Sequence, residues 1–191
     1  MEENGLTLLK LEMLNEEVNL KVNAIHRLKT VILSIGPEDY IQLITYIDTL
    51  IKDEDDEVLF AIAEELGKCF QLINDKTVFL PSLEMLAKKD ETVVRDQAAM
   101  SLTIISKSLS DAEIQNVFVP LVIKLAQGEW FTGRISSCHL FYPCYSKSGN
   151  SKEKLRKKFI ELCNEDTPMI RRACASGLGL FATQLEKQHV L

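Results

Sequence analysis

The chain has 191 residues, 46% of them apolar and 26% charged, with a formal net charge of −6. That apolar share can bury a substantial core, in one large domain or in an array of small units. The acidic balance argues against DNA or RNA as the main ligand, because a phosphate backbone rewards clustered cations.

The N-terminal stretch MEENGLTLLKLEML is acidic and lacks a long apolar core, so it does not read as a signal peptide. No apolar run approaches the roughly 20 residues that would span a bilayer, and no membrane contact is expected. The five cysteines, Cys69, Cys138, Cys144, Cys163 and Cys174, are odd in number and form no C-x-x-C pair. Reduced, buried thiols are therefore expected, in the cytoplasm and with the nucleus as a further compartment.

An internal repeat organises the chain. VFLP (Val78–Pro81) and VFVP (Val117–Pro120) are near-copies 39 residues apart, each followed by an apolar helical pattern and then an acid. Anchored on that acid, the register runs Glu16, Glu54, Asp90, Glu129 and Asp166, with spacings of 38, 36, 39 and 37. Four residues before the anchor lie Glu12, Leu50, Leu86, Leu125 and Leu162; four after it, Leu20, Val58, Val94, Gly133 and Ile170. Five after it comes a mostly basic column, Lys21, Leu59, Arg95, Arg134 and Arg171. Twelve after it stand Leu28, Leu66, Leu102, Phe141 and Leu178. Each unit reads as two helices joined at the acid, which can cap free N–H groups and favour the helix dipole.

The units follow in order as residues 6–36, 37–74, 75–110, 111–149 and 150–187 of a single domain, 1–191. In the first, Glu12 replaces the usual leucine, which suits a terminal unit with a polar outer face. Acid is concentrated early: residues 1–60 carry thirteen Asp or Glu against five Lys or Arg. The second unit has ITYIDTLIKD, where Ile44, Ile47, Leu50 and Ile51 make one helical stripe. In the third and fourth, Pro81 and Pro120 fall within the first helix and are expected to kink it and free a carbonyl. In the fifth, KEKLRKKF (Lys152–Phe159) reads as a solvated helix face rather than an anion-binding patch. DTPMIRR places Asp166 as N-cap and Pro168 in the first helical turn, where its missing N–H costs nothing. After Phe181 the chain runs ATQLEKQHVL with no capping unit, which reads as a cut array. Leu178, Leu180, Phe181 and Leu185 then lie where a sixth unit would pack, and self-association or fraying is expected there.

A period of 36–39 residues with two helices per unit is the HEAT or armadillo class. The expected fold is an all-α HEAT-repeat solenoid, a right-handed superhelical stack of about five hairpins. A tetratricopeptide array fits less well, since its period is about 34 and its Trp and Gly-Tyr pattern is absent. No catalytic residue, cofactor or metal site is expected. His26, His139 and His189 are far apart, Cys138, His139 and Cys144 lack a fourth zinc ligand, and Ser136 and Ser137 have no G-x-S-x-G context.

The turn GEWFTGR (Gly128–Arg134) holds the only tryptophan of the chain. In the register Trp130 and Phe131 align with Glu91 and Thr92. Trp130 is thus either an exposed interface anchor or a plug folded back between repeats. The acids Asp55, Glu57, Asp90 and Glu91 either cap helices or give the turns a negative edge that steers a basic partner. For Asp90 capping is the expected main role.

ETVVRD (Glu91–Asp96), GEWFTGR, EDTPMIRRACAS (Glu165–Ser176) and DEDDEVLFAIAEELG (Asp53–Gly67) resemble the scaffold, or A, subunits of protein phosphatase 2A. The resemblance runs from about residue 8 to the end and covers roughly the first third of that longer HEAT solenoid. It implies a non-enzymatic scaffold. Regulatory B subunits would dock on the ridge of inter-helix turns, and the catalytic subunit only on C-terminal repeats that this chain lacks. It also implies that Trp130 and Phe131, together with Asp166, Thr167, Pro168, Met169, Arg171 and Arg172, belong to or support the B-subunit contact area. Arg171, in the basic column, is alternatively a structural residue paired with acids of a neighbouring repeat. A transport adaptor of the importin or clathrin-adaptor type, binding peptides on its concave helices, is the second reading, and an enzyme the third.

Overall fold

Every acid-marked turn is the place where one helix stops and another begins. The computed structural model describes residues 4–189. The first repeat comprises α1 (Gly5–Glu12), then α2 (Val18–Ile25) and α3 (Leu28–Ser34), which together make its second limb. The second has α4 (Tyr40–Asp53) and α5 (Asp56–Cys69), and the third α6 (Leu80–Leu86) and α7 (Thr92–Ser108). The fourth starts with the short α8 (Asp111–Glu113), passes through a π-helical turn (Ile114–Phe118) into α9 (Val119–Ala126), and returns through α10 (Phe131–Cys138) and α11 (Phe141–Tyr145). The fifth is α12 (Lys152–Cys163) and α13 (Pro168–Ala182). No strand occurs among the described residues, and none of their helices is long and apolar enough to cross a membrane.

The second limbs stack in order, α2 on α5, α5 on α7, α7 on α10 and α10 on α13; the first helices form the other layer, with α4 against α6 and α9 against α12. This is a HEAT-repeat α-solenoid. Its core is the set of columns read from the sequence: Val58, Leu66, Leu86, Val94, Leu102, Leu125, Phe141 and Ile170 are fully buried. Such hairpins cannot close a core alone, so each buries its apolar stripe against the next. Small residues let the second limbs approach closely. A Cβ on Gly67 would lie 2.3 Å from the Ser101 hydroxyl oxygen, and one on Gly177 would lie 3.1 Å from the Cys138 carbonyl oxygen. Polar groups fix the stacking register. The Ser101 hydroxyl donates to the Ala63 carbonyl at 2.7 Å, and that of Ser82 donates to the Asp48 carboxylate at 2.6 Å. Between repeats four and five, Phe141, Tyr145, Phe159 and Phe181 make an aromatic cluster with centroids 4.6–5.9 Å apart, edge-to-face except for the tilted Phe159–Phe181 pair.

Several local expectations are corrected. The N-cap of each second limb is one residue past the anchor acid: Glu17, Asp55, Glu91, Trp130 and Thr167. Asp90 and Asp166 are therefore not caps; the Glu91 carboxylate accepts from the Val93 N–H instead, at 3.4 Å. Pro81 does not kink a helix, because α6 begins at Leu80 and the N–H groups of a first turn have no intrahelical hydrogen bond to lose. Pro120 does fall inside a continuous helical run. The helix widens just before it: the Val119 N–H reaches back five residues to the Ile114 carbonyl. The α4 stripe is centred on Leu43, Ile47, Leu50 and Ile51, with Ile44 only half-buried. Of the four residues expected on an open end face, only Leu178 and Leu180 are exposed. Phe181 sits in the aromatic cluster and Leu185 packs on the core.

Candidate protein-docking ridge

The turns between first and second limbs line up because the repeats share one phase. The third, fourth and fifth are each tied down by the arginine of the basic column. Arg95 donates to the Lys89 and Asp90 carbonyls at 2.9 and 2.5 Å, and Arg134 to those of Gly128 and Glu129 at 2.5 and 2.7 Å. Arg171 repeats the pattern on Glu165 and Asp166 at 2.6 and 2.8 Å. In all three the same terminal nitrogen, Nη1, donates to both carbonyls, one hydrogen to each. Links to the next repeat come from the same column, with Lys21 pairing with Glu54 at 2.8 Å and Arg134 with Glu165 at 3.1 Å. Arg171 is thus a clamp on its own turn. The pairing with a neighbouring repeat's acid, expected of the column, is made by Lys21 and Arg134 and not by Arg171.

The fourth turn is also bolted to the third. Thr132 and Ser136 of α10 donate to the Lys88 and Ala87 carbonyls at 2.9 and 2.7 Å. Trp130, the residue just before α10, therefore stands on a rigid platform. Its side chain is 75% exposed and makes no capping hydrogen bond. Phe131 beside it is 37% exposed and Met169, in the first turn of α13, 54%. Val93 occupies the equivalent of Met169 in α7 and is 55% exposed; it escapes the sequence reading because only its buried neighbour Val94 falls in an apolar column. The helical register would have found it, since both follow their N-cap by two residues. Exposed apolar groups on three successive turns, backed by fixed helix termini, are what a protein partner buries.

The acids are exposed around these groups. Asp55, Glu57, Asp90, Glu91 and Asp166 all face solvent, as do Pro168, Arg171 and Arg172, while Thr167 is half-buried. Glu57 and Glu91 line, with Asp56, a groove of about 620 Å³ whose lining also includes Val22, Phe60 and Val93. Asp55 and Asp90 lie outside that lining.

One polar cluster was not legible in the sequence. Among the described residues, His26, Glu64 and Glu65 come close enough to hold a metal ion. The Lys68 ammonium already lies 3.1 Å from Glu64 and 2.9 Å from Glu65, so it supplies the positive charge. Its hydrogen bond to Glu65 is the main cause of its raised pKa. Four of the five KEKLRKKF cations are likewise paired: Lys152 and Arg156 with Glu186, Lys157 with Glu153 and Lys158 with Glu161.

No model of a known protein family matches the chain. The human beta isoform of the 65 kDa regulatory (A) subunit of serine/threonine-protein phosphatase 2A is 46% identical over 180 residues, which cover 92% of this chain and 30% of that protein. The protein phosphatase 2A scaffold subunit of Dictyostelium discoideum is 38% identical over 184 residues, 94% of this chain and 32% of the relative. The alpha isoform of the corresponding 65 kDa regulatory protein of Arabidopsis thaliana is 40% identical over 94% of the chain and 31% of the relative. The chain belongs to the protein phosphatase 2A scaffold-subunit family. It spans about a third of the length of these curated relatives. A match over 92% of this scaffold-family chain takes in every turn from Glu17 to Thr167, so the ridge and its arginine clamps lie within the shared stretch. These relatives bear the names of regulatory or scaffold subunits.

Proposed function

We propose that the chain is a non-catalytic scaffold segment of protein phosphatase 2A that docks regulatory B subunits on its turn ridge. The observation that carries the reading is Trp130, three-quarters exposed at the N-terminus of α10. It rests on a turn held by Arg134 from one side and by Thr132 and Ser136 from the other. Trp130, Phe131 and Met169 supply the desolvated anchors, with Asp166, Thr167, Pro168 and Arg172 beside them. Asp55, Glu57, Asp90 and Glu91 steer a basic partner surface, and Arg171 supports from behind. Pro168 presets the first turn of α13, so docking orders less backbone. The phosphatase catalytic subunit joins the same assembly elsewhere on the scaffold, in the cytoplasm and the nucleus.

The mechanism is geometric. Nearest-neighbour packing makes a semi-elastic rod, and the shared phase presents contact groups at the repeat spacing. Titrating purified B subunits onto the purified chain tests it: saturable binding is expected, weakened by substitutions on the turns. Binding that instead responds to substitutions of exposed second-limb residues away from the turns, such as Met100 and Ile104, and is indifferent to the turns, would overturn it in favour of a peptide-binding adaptor.

A further inference from the structure

The structure brings two thiols together that lie 36 residues apart in sequence. Cys138, at the end of α10, and Cys174, in the first half of α13, have their sulfurs 3.2 Å apart in the buried seam between repeats four and five. The Cys138 thiol donates to the Arg134 carbonyl at 3.2 Å, which leaves Cys174 as donor in the contact between the two sulfurs. The helices carrying them nearly touch: a Cβ on Gly177, one turn further along α13, would lie 3.1 Å from the Cys138 carbonyl oxygen. Such close backbones suit a disulfide, whose Cα atoms sit about 4.4–6.8 Å apart. Cys138 is the nearer of the two to solvent, 2% exposed against 0% for Cys174. Cys138 lines a groove of about 540 Å³ on the face of α7, α10 and α13, together with Met100, His139, Tyr142, Gly177 and Leu180.

We propose that Cys138 and Cys174 form an oxidation site, a dithiol that a hydroperoxide closes into a disulfide joining repeats four and five. The sulfur of Cys138, a residue of the groove lining, attacks a peroxide oxygen. The O–O bond breaks, water or an alcohol leaves, and Cys138 becomes a sulfenic acid. The Cys174 sulfur then attacks the Cys138 sulfur, the S–O bond breaks and a second water departs with the remaining thiol proton. Two electrons pass from the pair to the peroxide. The sulfurs close from 3.2 Å to about 2.05 Å, a shift of about 1.2 Å that small side-chain and helix adjustments supply. The hydrogen bond to Cys138, and then burial, keep the Cys174 thiol protonated well above the ordinary range, so Cys138 is the first to react. The product clamps the rotation between the two repeats whose turns carry Trp130 and Met169.

The test uses the whole chain exposed to hydrogen peroxide, alkylated and digested with trypsin without reduction. Peptides 135–147 and 173–187 should be recovered joined and two hydrogens lighter than their sum, and the link should vanish on reduction. Because 135–147 also contains Cys144, the same link must persist in Cys144→Ser and be lost in Cys174→Ser. Oxidation should raise the melting temperature of the wild type by about 5 °C or more. Three outcomes would overturn the pairing: a link from 173–187 to 159–171, which carries the neighbouring Cys163; thiols that gain only oxygen; or thiols that stay open to alkylation after unfolding. A link without a change in melting temperature would overturn the clamp.

Discussion

Replacing Trp130 by alanine separates the ridge from the fold. A tryptophan side chain offers about 150–250 Å² of surface, and three-quarters of it is open here. Burying about 110–190 Å² against a partner is worth about 3–5 kcal/mol at 25 cal/mol per Å². Fixing the side chain takes back about 0.5–1.5 kcal/mol, which leaves about 2–4 kcal/mol, or a 30- to 1,000-fold weaker dissociation constant. The folded chain itself should barely respond. The indole makes no capping hydrogen bond, so unfolding free energy should change by no more than about 0.5 kcal/mol. Isothermal titration of a purified regulatory B subunit measures the first quantity, and urea unfolding followed by circular dichroism measures the second. An affinity loss of less than about threefold, at unchanged helicity, would refute the assignment of Trp130 as an anchor. A loss of stability as large as the loss of binding would show that the indole serves the packing instead.

Arg134→Ala should act the other way. It strips the fourth turn of its two carbonyl clamps and of the pairing with Glu165, and should cost about 1–3 kcal/mol in urea unfolding; Arg134→Lys should recover little, because a single ammonium cannot hold both carbonyls with one nitrogen and Glu165 with others. Gly67→Ala would gain up to about 1 kcal/mol of helix propensity, yet its Cβ would meet the Ser101 side chain at 2.3 and 2.6 Å. A net loss of about 1–2 kcal/mol is expected; it should be smaller in a Ser101→Gly background, which itself loses the hydrogen bond to Ala63, so the two losses should not add. The Lys152 ammonium, with the Tyr145 hydroxyl next, holds the Glu186 carboxyl at about 2, below its ordinary value of about 4.3. Since the folded value is depressed, this tether is complete above about pH 4.3 and is lost as pH falls toward 2. Protection factors for hydrogen exchange of residues 183–189, taken relative to the intrinsic rate at each pH, should therefore fall over that window in the wild type and show no such step in Glu186→Gln.

The repeat is legible in the sequence because stacked hairpins demand the same apolar column in every unit. Val58, Val94 and Ile170, like Leu86 and Leu125, are core residues by periodicity alone. The turns are placed to within one residue. The error at Asp90 and Asp166 arises because an acid near a helix start serves the dipole from more than one position, whereas only backbone geometry says which residue is the cap. Pro81 is misjudged for a related reason: a proline is tolerated or disruptive according to where the helix begins, and pattern alone does not mark that boundary.

What the chain determined by itself is the count of hairpins, their phase and the alignment of Trp130 with the other turns, because these depend on spacing along one polymer. Only the tertiary structure decided which turn residues stay open, that Arg95, Arg134 and Arg171 grip carbonyls rather than a partner, and that Cys138 meets Cys174. Those facts depend on the angle and separation at which neighbouring repeats pack, and that geometry is set by contacts between residues about a repeat or more apart, such as Gly67 against Ser101 and Ser136 against Ala87.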